Sequence, residues 1–145
     1  MCAYPAMDQY NDAVQNPKIA FSDSLLREAK FTTNSFGLPL AISGGFALTY
    51  TAKAQGKKYA VRCFRMEAKG VEARYKHVTM GLRAAGGSYF VGCDYLPAGI
   101  LVNGGRYPIV KMDWVEGDTL GDFLEANHSN TKQIELLRRQ FIDLE

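Results

Sequence analysis

The sequence has few of the residues that build metal centres or disulfide frameworks. Its 145 residues include three cysteines and two histidines, and no two cysteines have the CxxC spacing of a metal or redox motif. We therefore expect reduced thiols that pack one by one, and no metal-ligand cluster. Long apolar runs and a basic, apolar N-terminal stretch are also missing, so we expect a cytoplasmic protein that has no membrane as a partner.

Charge of one sign is not in excess either. The chain has 17 basic and 15 acidic residues, for a net charge of +2, which does not favour a nucleic acid as partner. What is present is a composition of 47% hydrophobic and 22% charged residues. These fractions are typical of a soluble globular chain of one ordinary domain with its own core.

Strand patterns alternate with turn signals from residue 38 onward. β-Branched and aromatic residues with glycine-containing turns predict a meander, and apolar spacings of four, three and four from Val71 predict a helix. The Asn103–Gly104 pair predicts a tight hairpin. The predicted elements are strands 38–43, 46–53 and 58–66, a helix over 70–84, strand 89–95, and a hairpin of 100–102 with 106–115.

Two more helices are predicted after this sheet, over 119–126 and 131–144. The second has an apolar stripe of Ile134, Leu137, Phe141 and Leu144, through which we expect self-association. Residues 1–36 are mixed in composition, and we interpret them as an N-terminal extension with one or two helical turns near Ser22.

Three motifs occur in order on these predicted elements. They are SGGFALTYTA at 43–52, YAVR at 59–62 and IVKMDWVEGDTL at 109–120. Together they resemble the glycine-rich loop, the third strand and the hinge of the small lobe of a bacterial Ser/Thr protein kinase. The resemblance implies an α+β fold, namely a five-stranded antiparallel sheet with one packed helix at 37–117, followed at 118–145 by helices of a truncated large lobe.

The resemblance also implies an ATP site, in which a hinge backbone binds adenine and the glycine loop and a third-strand cation approach the phosphates. Two of the three family glycines are replaced here, by Ile42 and Ala47, which leaves less space for phosphate. The residues implied for nucleotide binding are Ile42, Gly44, Gly45, Thr49, Ala60, Arg62, Met112, Asp113, Val115 and Asp118.

Arg62 stands where the family has lysine. Strand alternation puts it on the same face as Ala60, and we predict that it faces the cleft and binds phosphate. Its planar fork differs in shape from a lysine ammonium. Glu72 is the candidate ion-pair partner of Arg62, although a second register would put the family's helix glutamate near His77 or Val78. The alternative for Arg62 is a surface salt bridge.

The sequence contains neither the H-R-D-x-x-x-x-N loop nor the D-F-G motif of the family, so we assign no catalytic residue. Mg²⁺ would require that missing large lobe, and we expect the chain to be a fragment or a product lacking it. The function implied is ATP binding within a protein that transfers phosphate to protein hydroxyls of unknown substrates. The alternatives are a pseudokinase-type regulatory or protein-interaction module, and a generic α+β interaction domain.

Overall fold

The computed structural model describes residues 4–67, 69–86 and 89–145, and its fold is α+β with an open antiparallel sheet. This confirms the predicted class. The elements in chain order are α1 (Met7–Val14), α2 (Pro17–Ala20), α3 (Ser24–Arg27), β1 (Lys30–Phe31), β2 (Ala41–Ser43), β3 (Ala47–Ala54), β4 (Lys57–Phe64), α4 (Val71–Ala85), β5 (Cys93–Val102), β6 (Gly105–Asp113), α5 (Leu120–Asn127) and α6 (Thr131–Leu144).

The strands lie in the order β1-β3-β4-β6-β5, and β2 also pairs with β3. All of these pairings are antiparallel. β1 and β2 pair with successive parts of the same edge of β3, because Phe31 is opposite Ala52 and Ala41 is opposite Tyr50. The sheet is therefore five positions wide, and β1 is the strand that the sequence pattern did not predict.

Two-residue turns set the register of both long hairpins. Asn103 and Gly104 have φ angles of 47° and 81°, and Gln55 and Gly56 have φ angles of 49° and 77°. Positive φ at both central residues is the geometry of a turn whose twist matches that of the paired strands. The Asn-Gly hairpin prediction is confirmed.

β5 is one strand rather than the two segments that the sequence predicts. It begins at Cys93 instead of Tyr89 and continues through Pro97 to Val102. Its register against β6 shifts between Leu96 and Ile100. A proline has no N–H for the ladder, and a bulge accommodates it without ending the strand.

The N-terminal segment contains three helices and a strand, rather than the predicted one or two helical turns. α1 to α3 cover one face of the sheet. Their side chains share a buried cluster with residues of β3, β4, β5 and β6. From the N-terminal segment this cluster takes Tyr10, Val14, Ala20, Phe21, Leu26 and Ala29.

Two buried tyrosine hydroxyls connect α1 to the sheet. The Tyr10 hydroxyl donates to the Phe64 carbonyl at 2.6 Å, and the Tyr50 hydroxyl donates to Asn11 Oδ1 at 2.7 Å. Burial raises the pKa of both Tyr10 and Tyr50, so both remain protonated donors. These bonds fix the position of α1 in a way that apolar packing alone would not.

A partly buried ion pair holds α3 to the sheet. Lys111 Nζ lies 2.7 Å from Asp23 Oδ2 and 3.6 Å from Asp94 Oδ2. Asp23 Oδ1 also caps α3 by accepting from the Leu26 N–H at 2.9 Å. Burial alone would raise the pKa of Asp23, but the hydrogen bonds from Lys111 and Leu26 outweigh it and the pKa is lowered.

The chain divides into two compact units, one ending at Trp114 and the other spanning Val115–Glu145. The second unit is the pair α5 and α6, in which Phe141 and Leu144 stay about half exposed while Ile134 and Leu137 are more covered. Self-association through this stripe stays a prediction. Among the helices of the described residues, none has the length and hydropathy needed to cross a bilayer.

Two of the three cysteines lie in the described residues, and both are free thiols. Cys63 is fully buried in the sheet, where burial raises the pKa of its thiol, and Cys93 is partly buried. Both pack singly, as expected. Cys2 lies outside the described residues.

We predict that Tyr10→Phe lowers the free energy of unfolding by about 1–2 kcal/mol, because the Phe64 carbonyl is left buried without its donor. Urea unfolding followed by circular dichroism measures this loss. Tyr89→Phe is the control, since the Tyr89 side chain is exposed and its change should be close to zero. Equal effects in the two variants would contradict the role given to the Tyr10 hydroxyl.

We predict that Asp23→Asn lowers the free energy of unfolding by about 2 kcal/mol at neutral pH, while asparagine keeps the helix cap. The pKa of Asp23 is lower in the folded than in the unfolded chain. The carboxylate's contribution is therefore full above about pH 4 and is lost as the pH falls through the folded-state pKa.

Urea unfolding of both proteins between neutral and acid pH tests this. The difference between wild type and Asp23→Asn should shrink with acidification, whereas exposed Asp12→Asn should differ little throughout. A wild-type advantage that persists unchanged at the acid end would show that Asp23 acts through something other than its charge.

Candidate functional site

The side of the sheet opposite the N-terminal helices has two rows of side chains aligned by strand register. Directly paired residues of antiparallel strands point to the same face. One row is Ile42, Thr49, Arg62, Val110 and Tyr95, and the next is Thr51, Ala60, Met112 and Cys93. The register thus brings together five of the sequence-predicted nucleotide residues, namely Ile42, Thr49, Ala60, Arg62 and Met112.

Helix α4 packs on this same face, at the end formed by Phe64 and Tyr95. The rings of Tyr75 and Tyr95 stack at 5.7 Å, and Tyr75 meets Phe64 edge to face at 6.2 Å. Thr79 Oγ1 donates to the Cys93 carbonyl at 3.0 Å. We call the two rows of sheet side chains, together with the α4 side chains that pack on them, the α4 face.

Tyr75 and Tyr95 are among the members of the α4 face that sequence reasoning did not assign to the site. Tyr75 belongs to the predicted helical stripe, so its burial could be predicted but its neighbours could not. Tyr95 stands in the same row as Arg62 because of the register of three strands. Burial, together with the nearby Glu72 carboxylate, raises the pKa of Tyr95.

Arg62 lies in the middle of its row and is partly buried. Its Nε atom is fully buried and has no hydrogen-bond partner. Among residues 4–67, 69–86 and 89–145, no carboxylate forms an ion pair with its guanidinium. A buried guanidinium nitrogen without an acceptor is costly in a folded protein. The other nitrogens of this guanidinium are not fully buried, so an anionic ligand could bind to them.

Glu72 does not pair with Arg62, which corrects the candidate ion pair. Its carboxylate lies 2.7 Å from Lys76 Nζ, one helical turn further along α4. This i,i+4 contact is local and exposed. The alternative positions, His77 and Val78, are exposed as well.

The glycine loop is the tight connection between β2 and β3. The Gly44 N–H donates to the Ala47 carbonyl at 2.9 Å, so this amide is already used inside the hairpin. Ala47, at the third family glycine, is buried, while Phe46 is exposed. A Cβ at Gly44 would lie 3.4 Å from the Ala47 carbonyl oxygen, whereas one at Gly45 would meet no atom within 4 Å, and neither backbone needs positive φ.

The predicted hinge begins at the end of β6. The Asp113 N–H donates to the Gly92 carbonyl at 3.0 Å, and its carboxylate accepts from the Gly92 N–H at 3.3 Å. The Trp114 N–H donates to the Lys58 carbonyl at 3.1 Å. These bonds join the strand end to its neighbours on both sides, and Met112 precedes it on the α4 face.

Val115 and Asp118, the remaining predicted hinge residues, belong to the second unit. The Val115 side chain is 66% exposed. Asp118 lines a groove of about 530 Å³ within that unit, between α5 and α6. Their roles in binding a nucleotide stay predictions.

No protein-family model matches this chain, and comparison with curated proteins and with solved structures finds no match either.

Proposed function

We propose that the first unit binds ATP on the α4 face, as the nucleotide-binding small lobe of a protein-kinase-like protein. The observation that carries this proposal is the partly buried Arg62, whose Nε has no acceptor. An arginine fork can bind phosphate oxygens through two parallel hydrogen bonds. The phosphates of ATP would supply the acceptors that Arg62 lacks among the described residues.

Apolar and small side chains next to Arg62 support a place for the adenine ring. Ala60 and Met112 face each other across β4 and β6, and Ile42 and Thr49 do so across β2 and β3. Ile42 is 63% exposed, so it has apolar surface to contribute. A planar base is held mainly by such apolar surfaces, with a few polar groups for orientation.

Two departures from the family indicate weak nucleotide binding. The Gly44 N–H is used by Ala47, and Glu72 pairs with Lys76 rather than with Arg62. Phosphoryl transfer depends on positioned metal ions and a base, and the family loops that supply them are not found in this sequence. Transfer to a protein hydroxyl therefore belongs to the proposal only as the reaction that the resemblance implies.

The same two departures favour a second candidate, a pseudokinase-type regulatory or protein-interaction module. Such a module would have the same fold but would not bind a nucleotide. The two candidates differ in one measurable property, which is whether the triphosphate adds affinity through Arg62.

We predict that Arg62→Ala weakens ATP binding by about tenfold to a hundredfold, the usual range for hydrogen bonds to a charged group. Adenosine has no phosphate, so its affinity should stay within about twofold of the wild-type value. Isothermal titration of the full chain with both ligands measures the two losses.

Arg65→Ala is the matched control, because Arg65 is an exposed arginine just after β4 and its loss should leave both affinities unchanged. Equal losses for ATP and adenosine in Arg62→Ala would make Arg62 a structural residue. Absence of ATP binding in the wild-type protein would reject the nucleotide function and leave the interaction module.

We predict that Gly45→Ala preserves or raises stability, by up to about 1 kcal/mol, since the added methyl group meets no neighbour and reduces the freedom of the unfolded chain. The same methyl group should weaken ATP binding severalfold if phosphate approaches the loop backbone. Thermal unfolding and titration are measured on one sample. A stable Gly45→Ala protein with unchanged ATP affinity would exclude the loop from the binding site.

A further inference from the structure

A second surface of the first unit has a concentration of positive charge, and it lies on the side of the sheet that the N-terminal helices cover. It is a groove of about 690 Å³ between the N-terminal helices and β5. Three of its residues are cations, namely Lys18, Arg27 and Arg106, and the described residues that line it include no aspartate or glutamate. We call it the β5 groove.

The walls of the β5 groove are fixed by backbone contacts. Phe21 forms a bridge to Ile100, and the Ser22 N–H donates to the Gly99 carbonyl at 3.0 Å. The irregular stretch of β5 between Leu96 and Ile100 lies directly beside this junction. The groove therefore results from two structural features, the docking of the N-terminal segment and the β5 bulge.

Both arginines are positioned by the groove itself. Arg27 Nε donates to the Lys18 carbonyl at 3.1 Å, and Arg106 Nη1 donates to the Ala98 carbonyl at 3.5 Å. A guanidinium has five N–H donors, so each keeps donors for a ligand. Within the described part of the chain, neither arginine forms an ion pair, and the same holds for Lys18.

Two carboxylates near the groove along the chain, Asp23 and Asp94, form ion pairs with Lys111, and Glu28, which directly follows Arg27, is not among the residues that line the groove. Asp23 follows Ser22 directly, but Lys111 Nζ holds it at 2.7 Å. Asp94 lies on β5 before the bulge, and it pairs with Lys111 at 3.6 Å and with Arg83 at 3.4 Å. Lys111 thus engages two of the acids near the groove.

We propose that the β5 groove binds an acidic peptide segment of a partner protein, one that combines carboxylate and apolar side chains. The three cations are complementary to carboxylates, and Leu96 and Pro97 add apolar surface between them. A bidentate arginine–carboxylate contact is the geometry that such anchored guanidinium groups favour.

A single-stranded nucleic acid fits the groove less well. Such ligands need aromatic faces on which bases stack. The aromatic ring at this groove, Phe21, is buried and already stacked on Phe31 at 5.2 Å. The balanced net charge of +2 also provides little long-range attraction for a polyanion.

Fluorescence anisotropy of the full chain with a short labelled peptide of alternating glutamate and leucine tests the proposal. We expect saturable binding that weakens as NaCl increases. A matched peptide with glutamine in place of glutamate should bind at least about tenfold more weakly. Equal binding of the two peptides, or no binding of the acidic one, would overturn the proposal, as would tighter binding of a labelled single-stranded oligonucleotide.

Variants locate the binding in the groove. Arg27→Gln and Arg106→Gln should each weaken the acidic peptide about fivefold, and the double variant more than tenfold. Arg74→Gln is the matched control, because Arg74 is also exposed and also donates to a backbone carbonyl, at Lys69, but lies on α4 outside the groove. Its affinity should equal that of the wild-type protein.

The Lys18 side chain forms no hydrogen bond with the residues that the structure describes, so Lys18→Gln should weaken binding with an unchanged thermal unfolding curve. If Lys18→Gln and the double variant bind as tightly as Arg74→Gln, the peptide binds elsewhere and the proposal is wrong. The result does not depend on the α4 face, since Lys18, Arg27 and Arg106 lie outside it.

Discussion

The structure of the first unit depends on which face of the sheet the N-terminal helices cover. Side chains alternate along each strand, so a helix that covers one face leaves the other for different use. The hydroxyl of Tyr10 reaches through the core to the Phe64 carbonyl, and Tyr50 reaches back to Asn11. Because these bonds are directional, they fix α1 on the face that Val61 and Cys63 share, and strand alternation leaves Arg62 on the opposite face.

Lys111 organises the charges around this core. Its ammonium group forms ion pairs with both Asp23 and Asp94, while the Glu72 carboxylate pairs with Lys76 on α4. Carboxylates in these positions no longer compensate Arg62 or the cations of the β5 groove. The total charge of the chain is nearly balanced. Two regions still remain positive, because these acidic side chains pair with Lys111 and Lys76 and not with Arg62 or the cations of the β5 groove.

The two positive regions differ in their surroundings, and this difference determines what each is suited to bind. Arg62 has a buried Nε without an acceptor and stands in register between Thr49 and Val110, next to the row of Ala60 and Met112. An anion attached to a flat apolar group would contact both the guanidinium and this small and apolar surface. Arg27 and Arg106 are exposed and held by backbone carbonyls along an extended groove, which matches a chain with repeated carboxylates. Desolvation strengthens the first kind of contact, whereas salt weakens the second.

Local signals in the sequence determined the α+β class, the Asn103–Gly104 hairpin, α4 and both C-terminal helices, because turn chemistry and apolar periodicity act over a few residues. They also placed Ala60 and Arg62 on one face, since strand alternation is local. Register across β4, β6 and β5 decided that Met112 and Tyr95 join them. Tertiary packing alone decided that α1 to α3 form part of the core and that Lys111 pairs with Asp23, because these choices depend on contacts between segments far apart in the chain.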